Sequence, residues 1–290
     1  MNKYLGKIGL VIVAVIWGSG FVASALALEH YSPYQILALR FTLAFVVWLL
    51  INIRKLKKFS FTTMWRGSLL GVFLFLAFAF QTVGLQYTTP SKNAFLTAVN
   101  VVIVPFLGYL IFKKKLPVKN IIGSFITLIG IAMLSLTQAV GSVNFGDVLT
   151  LICAVFFALQ IFSTDYFVKE EETWALMLLQ MGVAAVLSWL TLFITKGDVP
   201  TLQVTTMMPV LYLGLVSTLL AYFIQTISQK KTTSSEAAII LSTEAFFGMI
   251  SSVIILNEHI SINMLFGAIL IFVGILVVEL EIKGWSTQRS

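Results

Sequence analysis

YFIQTISQKKTTSSEAAIILSTEAFFGMISSVIILNEHISINMLFGAILIFVGILVVELE, residues 222–281, decides the fold, because an earlier stretch repeats it. At an offset of 144 positions, Gln81 and Thr82 fall on Gln225 and Thr226, and Thr88 and Thr89 on Thr232 and Thr233. Ser91 falls on Ser235, Ala94 on Ala238 and Ile111 on Ile255, while Gly123 and Gly130 fall on Gly267 and Gly274. Each copy reads as an apolar helix, a Thr/Ser turn, a second apolar helix, a short polar loop and a third helix. Apolar residues match cheaply, so the polar and glycine matches carry the weight. Duplication at one constant offset builds a chain from two halves of a single fold.

The bulk composition says what solvent those halves occupy. Of 290 residues, 59% are hydrophobic and only 11% are charged. A soluble domain is about 25% charged, and this much apolar surface does not fit inside one soluble core. A membrane-spanning helix needs about 20 apolar residues. Ten such stretches can be marked, at 6–28, 34–53, 67–87, 91–112, 119–138, 146–168, 174–195, 209–229, 234–256 and 262–282. The expected fold is therefore an all-α membrane protein of ten transmembrane helices. Residues 1–138 form a first five-helix repeat, 146–282 a second, and 283–290 a tail. The loops leave no room for a separate aqueous domain.

A net charge of +7 can point to a nucleic-acid partner, but its placement here explains it better. With the N-terminus in the cytoplasm and ten crossings, 19 basic residues distribute so that all but Arg40, Lys92 and Lys196 lie in cytoplasmic segments. That is the positive-inside bias, and it puts both termini on the cytoplasmic side of the cell (inner or plasma) membrane. Membrane lipid and a small molecule are the expected partners, with no nucleic acid, in a monomer or homodimer. Lys3, Lys7 and Ala25-Leu26-Ala27 resemble a signal peptide, but the apolar run is longer than a signal core. Ala14-Val15 also lines up with Ala154-Val155 at an offset of 140, as Trp17 does with Phe157, so the first helix is read as retained. Five helices per half is odd. The second half then enters the membrane from the opposite side, and the two repeats are inverted about an axis in the membrane plane. Such a pair places a site at the midplane between the halves. The Gly123/Gly130 and Gly267/Gly274 pairs, each two helical turns apart, read as close helix packing.

Several features resemble the EamA-type transporters of the drug/metabolite transporter superfamily. Trp17-Gly18-Ser19-Gly20-Phe21 resembles that family's first-helix signature, and Arg40-Phe41 its second-helix signature. The Thr-Thr-x-Ser starts of helices 4 and 9, Glu244 and Glu258 in helix 9, and the spaced glycines of helices 5 and 10 also match. The first half departs from the pattern, with Asn100 and Lys114 where the second has Glu244 and Glu258. The resemblance covers nearly the whole chain. It implies a central cavity lined mainly by helices 1, 3, 4, 6, 8 and 9, and movement of small metabolites, often amino acids or drugs and often outward.

Glu244 is the leading candidate in that cavity. A carboxylate in mid-helix costs roughly 2.5–3.5 kcal/mol on insertion scales, which needs a reason. It could carry a proton, act as counter-charge to a substrate amine, or simply bridge helices. Asn100, its repeat mate, offers donors and acceptors without charge. Gln81, Gln160 and Gln225 must find partners away from lipid and are expected at the site, as are Trp17, Ser19 and Tyr222. Arg40, Ser91, Lys92, Ser235 and Glu236 are read as gating or structural. Ser91 and Ser235 are expected to cap helices 4 and 9, and Lys92 and Glu236 to reach water from helix ends. The charge runs at Glu170-Glu171-Glu172 and Lys113-Lys114-Lys115 read as solvated loops.

Enzyme readings find no support in the residues. Gly18-Ser19-Gly20 lacks a base, because His30 and His259 both fall at helix ends. Cys153 is alone, no His/Cys cluster could hold a metal, and no phosphate-binding Gly-Lys-Ser/Thr loop is present. No cofactor and no catalytic residue is expected. The reading is a permease, most directly for amino acids or related compounds. A multidrug, sugar or nucleoside permease on the same fold is the alternative, and a non-transporting membrane scaffold the reading from a different class.

Overall fold

The computed structural model describes residues 3–56, 59–113, 118–135, 144–201 and 203–279. The expected tail 283–290, with Lys283 and Arg289, and also Lys57, Lys58, Lys114 and Lys115, lie outside the described residues. The described chain is helical, with no strand. In order it forms α1 (Lys3–Leu28), α2 (Pro33–Asn52), α3 (Phe61–Leu85), α4 (Pro90–Thr97), α5 (Asn100–Phe112) and α6 (Val118–Ser135). Then come α7 (Phe145–Phe167), α8 (Thr173–Ile194), α9 (Val204–Leu211), α10 (Ala221–Gln229), α11 (Ser234–Ser242), α12 (Glu244–Leu256) and α13 (Ile262–Glu279). Helices α4 and α5 form one bent span, as do α11 and α12, and a π-helical segment, Tyr212–Leu220, joins α9 to α10. Among the described residues this gives ten spans. Eight are long and apolar enough to cross a membrane, and α6 and α13 carry the shorter apolar runs Ile121–Gly130 and Ile262–Gly274.

Polarity is inverted relative to a soluble protein. Ile8, Val11, Ile12 and Val15 of α1, Phe125 of α6 and Phe266 of α13 point outward. Arg40, Lys92, Asn100, Asp147, Gln160, Gln180, Gln225 and Glu244 are buried. Lipid cannot satisfy polar groups, so they collect where helices face one another.

The two halves interleave: α1 packs on α12, α2 on α8, and α3 on both α7 and α8, while α6 packs along α13. In the last pair the repeated glycines meet. A β-carbon on Gly130 would lie 2.7 Å from the carbonyl oxygen of Gly267, and one on Gly274 equally close to that of Gly123. Backbone lies against backbone there, so turning a side chain aside would not by itself relieve the clash. Gly130→Leu is expected to destabilise the protein by about 1–3 kcal/mol through overpacking. Its apparent melting temperature in detergent should fall, and an unchanged value would show that the two helices are not in contact.

The repeat extends to helix ends. Thr89 and Thr233 are the N-cap residues of α4 and α11, each accepting the backbone N–H three residues on. This corrects the expectation for Ser91 and Ser235, which lie two positions later, inside the first turn, where backbone already runs helically. Lys113 and Asn257, also repeat mates, end α5 and α12 in left-handed conformations at φ 51° and 53°. Because Asn257 stops α12, Glu258 stands in the following loop and not in the helix, a second correction. Its carboxylate accepts the hydroxyl of Ser91 at 2.7 Å and that of Ser252.

Helices 4 and 9, read from sequence as unbroken at 91–112 and 234–256, break near the middle. The N–H of Thr243 reaches back only three residues, to Ile240. The hydroxyls of Ser242 and Thr243 donate to the carbonyls of Ile239 and Ile240. Side-chain bonds of this kind compete with the helical ladder. The breaks leave Asn100 and Glu244 as the first residues of α5 and α12. A carboxylate at a helix N-terminus complements the helix dipole, a local physical reason for an acid at that point.

Candidate functional site

A cavity lies between the halves, with about 410 Å³ of empty space when the part that opens to solvent is counted. Its walls come from α1 (Trp17, Gly20, Phe21, Ser24), α3 (Phe78, Gln81), α7 (Phe157, Ile161) and the π-helical segment (Ser217), with Arg40 of α2, Asn100 of α5 and Glu244 of α12. The spans are those the resemblance implied, with α2 added through Arg40. Four aromatic rings, Trp17, Phe21, Phe78 and Phe157, share the wall with six polar or charged side chains, the mix of apolar surface and placed polar groups that small-molecule sites use.

The π-helical segment helps to build one side. A π turn leaves backbone carbonyls off the ordinary ladder, and such segments are frequent at functional sites. The indole Nε1 of Trp17 donates to the carbonyl of Ser217 at 2.9 Å. Thr218 accepts from Nε of Arg40, also at 2.9 Å. The Arg40 guanidinium lies 4.0 Å above the Phe78 ring, a cation–π contact. Phe78 in turn packs edge-on against Phe157 and Tyr222, and Tyr222 tilts against Trp17.

Of the residues expected to bind substrate, Trp17, Gln81, Asn100 and Glu244 line this cavity. Gln81 is held by its Nε2 donating to Thr97. The others do not line it. Ser19 bonds to the hydroxyl of Tyr212 and to the carbonyl of Ile16. Gln225 donates to Gln160, and Gln160 to Thr164, tying α10 to α7. Tyr222 is fully buried behind Trp17 and Phe78, its hydroxyl without a partner among the described residues. The sequence reading passed over Ser217, Phe78 and Phe157. Two were available from the repeat: Phe157 matches Trp17 at the 140 offset, and Phe78 matches Tyr222 at 144. Ser217 could not be found that way, because its role comes from the π geometry.

The residues read as gating sit away from the cavity, apart from Arg40. Lys92, at the start of α4, is 4% exposed and pairs at 2.7 Å with Asp147, at the start of α7. It does not reach water, because a buried carboxylate is nearer. The same Asp147 oxygen accepts the backbone N–H of Asn144 in a capping box. Glu236, at the start of α11, caps Thr233 and pairs at 3.4 Å with Lys7, at the start of α1. Ser91 is engaged by Glu258, and Ser235 is half-buried in the first turn of α11. The acidic run is not simply solvated: Arg66 of α3 bridges Glu170 and Glu171. Among the described residues, no group of three or more His, Cys, Asp or Glu could hold a metal.

Together these features define a multi-pass membrane protein with a cavity between two duplicated halves. Residues 4–136 and 144–280 each match the EamA-like transporter family, and the chain belongs to that family. An Archaeoglobus fulgidus protein described as an uncharacterized transporter is 32% identical over 97% of this chain and 88% of its own. A Salmonella typhimurium protein described as a probable amino-acid metabolite efflux pump is 27% identical over 100% of this chain and 98% of its own. The Bacillus subtilis protein YyaM, described as an uncharacterized transporter, is 25% identical over 100% and 98%. One solved crystal structure shares the fold at TM-score 0.75 and 15% identity, covering 96% of this chain and 97% of that one. The protein is a transporter and not an enzyme.

Proposed function

We propose that this transporter moves small metabolites, amino acids or related compounds first, outward across the cell membrane by alternating access, with both termini in the cytoplasm. The observation that carries the substrate reading is the cavity itself. Its aromatic and aliphatic wall suits an apolar side chain, and Glu244, which no hydrogen-bond donor among the described residues engages, offers a counter-charge for an amine. Outward movement draws support from the efflux description of the Salmonella typhimurium relative. Glu244 is also the proposed proton carrier, since a carboxyl at the cavity wall can bind and release a proton as the site changes faces.

The alternating-access reading rests on the two ion pairs. Lys92–Asp147 joins the starts of α4 and α7, and Lys7–Glu236 joins the starts of α1 and α11. Helix direction alternates along the chain, so these starts lie at opposite ends of the bundle. We read Lys92 and Glu236 as gate residues on that basis.

Flux in proteoliposomes against a panel of amino acids, with and without a pH gradient, tests the proposal. Amino-acid flux that rises with the gradient is expected. Flux indifferent to the gradient removes the proton step. No amino-acid flux promotes the multidrug, sugar or nucleoside reading instead. Glu244→Gln is expected to lose at least about tenfold in flux, the scale of a lost charged hydrogen bond. Full activity in that variant removes Glu244 from the site.

A further inference from the structure

We infer that Arg40 is the anchor for a substrate carboxylate, so that the cavity holds a zwitterion between a cation from one half and an anion from the other. The inference rests on the amino-acid reading above and assigns its second charge. Arg40 was expected to be structural or gating, yet it lines the cavity.

Three observations carry it. First, the guanidinium is held but not satisfied. Arg40 is 1% exposed, its Nε is bonded to Thr218, and its Nη2 has no partner among the described residues. Among those residues, no carboxylate forms an ion pair with it. An unpaired buried charge is costly, and a guanidinium is always charged and is shaped to take a carboxylate by two parallel hydrogen bonds. Second, Asn100 Oδ1, an acceptor on the same cavity wall, is unpartnered among the described residues, which leaves it available to the N–H groups of a substrate ammonium.

Third, the duplication separates what the scaffold needs from what the cavity adds. Helices α2 and α8 begin at Pro33 and Thr173, an offset of 140, which makes Gln180 the mate of Arg40. Gln180 is equally buried, 1% exposed. Glu244 has Asn100 as its mate at the offset of 144. At both places one half carries an amide and the other a charge. The fold therefore accommodates an uncharged amide at each position. The charges are the departures from symmetry, one positive and one negative, and both face one cavity. A structural role for Arg40 explains the Thr218 bond and the Phe78 contact, but not the free end of the fork.

Binding to purified protein in detergent, by calorimetry, tests this with leucine, phenylalanine and threonine. Each is compared with its carboxamide, which lacks the carboxylate, and its N-acetyl derivative, which lacks the ammonium. Wild type is expected to prefer the amino acid over its carboxamide by about tenfold or more, the worth of a charge-assisted hydrogen bond. Arg40→Gln should bind amino acid and carboxamide alike, while still discriminating against the N-acetyl form. Arg40→Lys should recover some of the preference. A merely structural Arg40 would weaken all ligands together and leave their ratios unchanged, and that result overturns the assignment. So does an Arg40→Gln variant that keeps the wild-type preference. If wild type binds no amino acid at all, the substrate reading falls and the anchor with it. If it binds them without regard to the carboxylate, only the anchor falls.

Discussion

Lys92→Met is expected to destabilise the protein by about 3–5 kcal/mol, the cost of stranding one partner of a buried ion pair. Lys92 and Asp147 side chains are 5% and 2% exposed and meet at 2.7 Å. The second oxygen of Asp147 already lacks a hydrogen-bond partner among the described residues, so without Lys92 the carboxylate keeps only backbone N–H support from Asn144. Lys7→Met, by contrast, breaks a half-buried pair of 3.4 Å and should cost no more than about 1 kcal/mol. The double variant Lys92→Met with Asp147→Asn should recover most of the loss. Removing both charges removes the stranded ion, and an asparagine oxygen can still accept from Asn144. Apparent melting temperatures in detergent for the set measure this. A Lys92→Met protein that melts with the wild type would show that the pair is solvated.

The architecture was open to a sequence reading because lipid imposes strict rules. Apolar runs of the right length, basic residues between alternate runs, and polar matches at a constant offset each have a single physical cause. The glycine pairs were legible for the same reason, since only a missing side chain permits backbones to touch, and Gly130 does meet Gly267. The site was only partly legible. Glu244, Asn100, Gln81 and Trp17 stand out as polar or bulky groups in mid-span, and all four line the cavity. Gln160 and Gln225 looked equivalent by that criterion, but they bond to each other. Periodicity cannot tell a helix tie from a cavity wall, because both require a face turned away from lipid. The breaks at Thr243 and Val99, and the π turns over Tyr212–Leu220, were hidden for another reason. One or two Ser, Thr or Asn residues in an otherwise apolar run do not announce a break, since their hydroxyls and amides serve equally in unbroken helices, and only local hydrogen bonding departs from the ladder. Ion-pair partners were hidden as well. Lys92 is matched in the repeat to Glu236, but the residues that neutralise them, Asp147 and Lys7, lie on other helices.

Locking either ion-pair site is expected to stop transport completely, and the two locks should be equivalent in effect. Asp147 falls on Lys7 at the 140 offset, and Lys92 on Glu236 at 144. The two pairs are thus a single contact of the ancestral repeat written twice, with the signs exchanged and the faces reversed. A carrier that exposes its cavity to one face at a time must break either of these contacts while keeping the other. Double-cysteine variants at 92 and 147, and at 7 and 236, can be bridged with a short reducible bis-thiosulfonate. The background carries Cys153→Ala, which removes the lone buried thiol. Bridging either site should abolish flux, and reduction should restore it. Each locked form should still bind substrate from the face left free, so binding measured on the two sides of oriented liposomes should be reciprocal. Exchanging the signs, with Lys92→Asp and Asp147→Lys together, should preserve flux, since the opposite face already uses that arrangement. Undiminished turnover with the 92–147 bridge in place would mean that α4 and α7 never separate there, and the paired-gate mechanism would then have to be abandoned.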